Sequence, residues 1–184
     1  MGFKENGDEM PRSLIELSKI LPVTFERVKR YIRCSKLWEA MSPIPNFKYE
    51  FIDENNIHMD FSYTFIVGLT GLIQHTAHLV QDARFEEKGN TYYIHIEKSN
   101  EVAKGESHIV IDDLGDKIDV KVFVDVLYLQ RGILELVGRQ IVINRFRGEL
   151  RKLLDKTAKK LRDGSMEAVF AECEKELAEK QAKK

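Results

Sequence analysis

The side chains with the most chemical potential in this 184-residue chain are five histidines, six tyrosines and two cysteines. His75 lies in the alternating segment LIQHTAHLVQ, on the same parity as Ile73, Ala77 and Leu79. Tyr49, Tyr63, Tyr92 and Ser107 take the corresponding parity in neighbouring alternating segments, so all five are expected on one face of a sheet. An imidazole beside phenols can act as a general acid or base when its pKa lies near the working pH and a partner orients it. No Asp or Glu shares that parity beside His75. The histidine is therefore read first as a hydrogen-bonding group at the edge of a cavity, and second as the candidate catalytic residue.

The other four histidines, His58, His78, His95 and His108, fall on the opposite parity. If the turn around ARFEEKGN sets the register, His78 faces His95, with His58 and His108 on either side. Such an outer row, with Asp60, Glu97 and Glu106 nearby, could hold a transition metal or gain charge in mild acid. Four solvated strand residues are the simpler expectation, and no metal or other cofactor is assigned. Cys34 and Cys173 form neither a CxxC pair nor a zinc-spaced cluster, which favours reduced thiols and a cytoplasmic setting.

Those side chains need a scaffold, and periodicity supplies it. SLIELSKIL reads as a short strand stopped by Pro22. Two short helices follow, FERVKRYIRC after Thr24 as N-cap and SKLWEAM before Pro43. From Asn46 to Tyr128 nearly every segment alternates, giving six strands joined by hairpin-length turns. Phe47, Tyr49 and Phe51 share one face, as do Met59, Phe61, Tyr63 and Phe65, so the inner face is rich in aromatic rings. After Tyr128 the apolar period lengthens to that of a helix, through Ile133, Leu134, Val137, Ile141, Phe146, Leu150, Leu153, Leu154 and Leu161. RDGS at 162–165 ends it, and MEAVFAECEKELAEKQAKK forms a further amphipathic helix.

A one-faced sheet and a long apolar helix satisfy each other by packing together, which makes this an α+β chain with the sheet curled around the helix. Residues 1–12 read as a disordered leader, 13–162 as the domain and 163–184 as a tail helix. The tail's apolar side can pack on its own domain, on a second copy to give a homodimer, or across the cavity mouth. The 29 basic residues nearly balance the 30 acidic ones, so nothing in the charge points to nucleic acid. No apolar run reaches the roughly 18 residues of a membrane span, so no integral membrane association is expected.

This order of elements resembles the START/Bet v 1-like superfamily, also called SRPBCC or helix-grip, over about residues 13–162. VGLTGLIQHTAHLVQ and the final helix, with RQIVINRF after an early glycine, look like the branch associated with carbon monoxide dehydrogenase; a polyketide cyclase-like branch is the other option. The resemblance implies a curved antiparallel sheet of about seven strands and an apolar cavity beneath the long helix. It also implies binding of a lipid, polyketide or other aromatic molecule. The alternatives are a cyclase or dehydratase using His75 on a polyketide-like ligand, and an accessory protein for molybdenum hydroxylase assembly.

The cavity wall expected from these patterns comprises Phe47, Tyr49, Phe51, Met59, Phe61, Tyr63, His75, Ala77, Tyr92 and Ser107 from the strands, with Val137, Gly138 and Ile141 from the helix. RGILELVGRQIVINRFRGEL carries Gly132, Gly138 and Gly148, each costing roughly 0.5–1 kcal/mol within a helix. Gly138, in the most apolar half, is expected to leave room for a guest.

Overall fold

Alternation in the middle of the chain becomes one continuous antiparallel sheet. The computed structural model describes residues 13–67 and 73–182. In order they form β1 (Ile15–Leu21), α1 (Phe25–Tyr31), α2 (Ser35–Met41), β2 (Lys48–Phe51), β3 (Asn56–Val67) and β4 (Ile73–Lys88). Then come β5 (Thr91–Ser99), β6 (Val102–Asp113), β7 (Ile118–Leu129), α3 (Ile133–Val137), α4 (Arg139–Arg162) and α5 (Met166–Ala182). The seven strands are ordered β1-β7-β6-β5-β4-β3-β2, so successive hairpins build the sheet and β1 returns to pair with β7. The fold is the α+β arrangement expected from the pattern, and its curved seven-stranded sheet around a long helix is the helix-grip form that the resemblance implies. The GLTG connection lies outside the described residues.

β4 is longer than the sequence reading allows. ARFEEK, read in sequence as part of the turn ARFEEKGN, continues the strand to Lys88, and Gly89 at φ 64° begins the turn. The reason is burial: Ala83 and Phe85 keep the inward alternation and are 2% and 0% exposed. Phe85 meets Phe51 edge-on at 5.4 Å and stacks with Tyr92 at 5.9 Å. Aromatic pairs of this kind add about 0.5–1.5 kcal/mol each beyond their area.

The helix expected from Arg131 onward is two helices. Gly138, at φ 96°, ends α3 and begins α4: its N–H bonds the Leu134 and Glu135 carbonyls, and its own carbonyl accepts from Ile141 and Val142. A positive φ is why glycine occupies this position. Gly132 serves a close approach instead. A Cβ there would strike the buried Glu101 carboxylate, which accepts hydrogen bonds from the Ile133 and Leu134 amides at 3.3 and 3.0 Å and so caps α3. The apolar stripe has the same period across the break, so periodicity alone does not reveal it.

α5 spends its apolar side within its own chain. Met166, Phe170 and Cys173 are buried, Phe170 stacks on Tyr31 at 5.1 Å, and the Arg27 guanidinium sits 4.1 Å above the Phe170 ring. Glu176 accepts from the Ser35 and Lys36 amides at the start of α2. Cys34 and Cys173, both fully buried, are joined as a disulfide with Cα atoms 5.5 Å apart. This corrects the reading of reduced thiols: residues 139 apart in sequence meet because α5 folds back onto the α1–α2 turn. Of the three options for the tail's apolar side, packing on its own domain is the one this structure shows. Among the described residues no helix is long and apolar enough to cross a membrane.

Candidate functional site

Between the concave face of the sheet and α4 lies a pocket of about 240 Å³. Its wall is apolar for most of its extent, built by alternate residues of β2–β7 and by Val142, Phe146, Leu150 and Leu153 of α4. Phe47, Tyr49, Met59, Phe61, Tyr63 and Ser107, all expected in the wall, line it. The rings are packed on one another: Phe47 lies 5.4 Å from Phe61 and 6.0 Å from Tyr49, and Trp38 of α2 stacks on Tyr49 at 5.2 Å.

The other expected wall residues sit elsewhere. Phe51, Ala77 and Tyr92 are buried in the core behind the lining, because the sheet's curvature closes its ends around side chains rather than around open space. Val137 is buried but outside the lining, and Gly138 occupies the α3–α4 break. Ile141 is 46% exposed; the break at Gly138 resets the helix, so Val142 and Ile143 face inward instead. His75, opposite Phe65 on β4, is not part of the lining either, and no hydrogen bond joins it to a carboxylate among the described residues.

The outer histidine row is dispersed for the same reason that β4 is long. His78 lies opposite Ser62 and His95 opposite Arg84, so the two do not face each other. Three of the four take separate aspartates: His58 with Asp82 at 2.7 Å, His78 with Asp60 at 2.7 Å and His108 with Asp125 at 2.6 Å. Among the described residues no group of three metal-ligating side chains converges.

Three charged side chains that the sequence does not place at the site, Arg145, Glu149 and Lys152, surround Tyr63 where α4 meets β3. Tyr63 donates to Glu149 at 2.7 Å and accepts from Arg145 Nε, while Lys152 donates to Glu149 at 3.0 Å. Glu149 is 7% exposed, whereas the Arg145 and Lys152 side chains reach solvent, so the cluster runs from the pocket to the surface. Burial opposes the Glu149 charge, but hydrogen bonds from Tyr63 and Lys152 and the two nearby cations outweigh it, holding the carboxyl below its ordinary range. Burial, reinforced by Glu149, pushes the Tyr63 phenol up to about 12. RFRGELRK reads in sequence as a solvated helix face; Glu149, three residues before Lys152 and four after Arg145, is the inward member.

Two further polar side chains interrupt the wall. Among the described residues the buried Tyr49 hydroxyl has no hydrogen-bond partner, and burial raises its pKa strongly. Gln81 is 6% exposed and lines the pocket, two residues beyond Leu79 on the inward parity. Extending that alternation along β4 would have found it.

No family model and no curated protein matches the chain. Solved structures do. A START superfamily protein from Mycobacterium smegmatis superposes with a TM-score of 0.58 at 12% identity, covering 80% of this chain and 97% of that one. A Thermus thermophilus protein gives 0.58 at 12% identity, covering 82% and 98%. The di-domain ARO/CYC protein of the BE-7585A biosynthetic pathway gives 0.51 at 12% identity, covering 80% of this chain and 46% of the larger one. With the curled seven-stranded sheet and the long helix across it, these likenesses establish that the chain has the START/Bet v 1-like fold.

Proposed function

We propose that this protein binds a hydrophobic small molecule in the pocket between the sheet and α4. The observation that carries the reading is the open volume itself, about 240 Å³ lined mainly by aromatic and aliphatic side chains. Protein interiors keep few voids larger than a water, so a space of this size in an apolar wall suits a guest. Ligand clefts usually run about 300–1,000 Å³, which favours a compact guest: a two-ring aromatic, a small polyketide or a single short acyl chain. The ARO/CYC neighbours support a polyketide-like aromatic within that range.

Binding is favoured over catalysis by the Tyr63–Glu149 pair. The Glu149 carboxyl is held below its ordinary range and the Tyr63 phenol is pushed up to about 12, both away from the near-neutral pKa that suits a general acid or base best. The pair orients and seals. Native mass spectrometry of the purified protein, with solvent extraction, tests the reading: a copurified apolar molecule in one-to-one ratio is expected. Protein that arrives empty and takes up no added naphthalene derivative would overturn it.

A further inference from the structure

We infer that Gln81 is the recognition point for a neutral oxygen group on the guest, so that the ligand class is an otherwise apolar molecule carrying a carbonyl or hydroxyl. This rests on the pocket being a binding site and adds what its guest must present.

Gln81 lies on the concave face opposite Met59 of β3, and Met59 in turn lies opposite Tyr49 of β2, so the three side chains form one row across the wall. Tyr49, Met59 and Gln81 all line the pocket. A carboxamide has two donor hydrogens and an acceptor oxygen, and where it faces an apolar pocket a guest that enters must either pair with these atoms or strip them of water. Gln81 is 6% exposed, yet its side chain makes no hydrogen bond among the described residues. Its row neighbours leave it unpaired: Met59 presents at most a weakly accepting thioether, and the Ser99 hydroxyl, opposite on β5, is engaged by the Glu101 and Val102 amides and makes no hydrogen bond to it. Unlike the Tyr49 hydroxyl, which is sealed in the core, the amide of Gln81 borders the open volume.

The chemistry of the partner follows from the surroundings. No cation or anion belongs to the row, and the adjacent wall at Phe61, Leu79 and Ile94 is hydrocarbon, so a charged group would be desolvated there without compensation. A carbonyl can take the amide N–H, and a hydroxyl can give its proton to the amide oxygen. A site built to hydrogen-bond a substrate group rejects the analogue that lacks it, because its own polar atoms are then left unpaired. Gln81 would act as such a filter, selecting oxygenated guests over plain hydrocarbons.

The test is competition against N-phenyl-1-naphthylamine fluorescence by 2-acetylnaphthalene, 2-naphthol and 2-ethylnaphthalene, on the full chain and on Gln81→Met and Gln81→Leu. Methionine keeps the length of the side chain and removes its strong hydrogen-bonding atoms, so at least one folded variant is expected. In both variants the affinity for at least one oxygenated probe should fall about tenfold relative to 2-ethylnaphthalene, the worth of one hydrogen bond in a closed site. The probe that loses affinity identifies carbonyl or hydroxyl as the preferred group. The Gln81→Met protein without probe should melt at about the same temperature as the parent, since the side chain makes no hydrogen bond among the described residues and its volume is kept. An unchanged ratio of both oxygenated probes to hydrocarbon across the three proteins would overturn the role of Gln81 while leaving the pocket intact. If the dye itself fails to bind the parent chain, the binding-pocket reading falls and the Gln81 role falls with it.

Discussion

The Tyr63 hydroxyl on β3 donates a 2.7 Å hydrogen bond to the Glu149 carboxylate on α4, joining sheet to helix across 86 positions of sequence. This bond, with Lys152 and Arg145 around the same carboxylate, fixes one margin of the pocket. The helix that covers the pocket is therefore held by a polar clasp as well as by apolar contact.

Replacing either partner should loosen that clasp. Glu149→Gln is expected to cost about 1.5–3 kcal/mol at neutral pH, the range for a hydrogen bond to a charged group, and Tyr63→Phe about 1 kcal/mol. The Glu149 pKa is depressed in the folded chain from its ordinary 4.5. Its contribution is accordingly complete above that value and is lost as the pH falls through the lower folded-state value. Urea unfolding at pH 7 and pH 3 should show the gap between the parent and Glu149→Gln closing in acid.

Reducing the Cys34–Cys173 bond should destabilise the fold through the unfolded state. Opening a loop that spans 139 positions releases chain entropy equivalent to about 5 kcal/mol in the simplest model, and measured losses are typically about 2–4 kcal/mol. Thermal melts with and without dithiothreitol, beside the Cys34→Ala, Cys173→Ala double variant, should give matching decreases. An unchanged melting temperature would show that the two sulfurs are not bonded in solution.

The two glycines of the final helices predict opposite outcomes. Gly148 lies inside α4 with open space where a Cβ would stand, so Gly148→Ala should stabilise by about 0.5–1 kcal/mol. Gly138 also has space, but its φ of 96° strains any other residue, so Gly138→Ala should destabilise. Equilibrium unfolding of both variants separates the backbone effect from the steric one.

Local period is the information a sequence carries most directly, and it accounts for what could be read here. Alternation at Phe47, Tyr49, Met59, Phe61 and Tyr63 placed five side chains in the wall because a strand's period of two leaves little choice of face. The same logic at Ile141 failed, since the break at Gly138 shifts the phase of the helix without altering the apolar count. Register was the weaker inference: one strand extended through ARFEEK moved His78 away from His95. Pairings across the fold, such as Tyr63 with Glu149 and Cys34 with Cys173, have no local signature and were legible only in three dimensions.

The central claim, that the space beneath α4 receives an apolar guest, is tested most directly by titrating N-phenyl-1-naphthylamine into the parent chain and into Ser107→Leu. Ser107 lines the pocket, so leucine there occupies guest volume without touching the clasp. Saturable binding of one dye per parent chain is predicted, weakened about tenfold in Ser107→Leu, whose added methylenes compete for the same volume, with little change in melting temperature. No saturable binding to the parent, or equal binding by both proteins, would contradict the account.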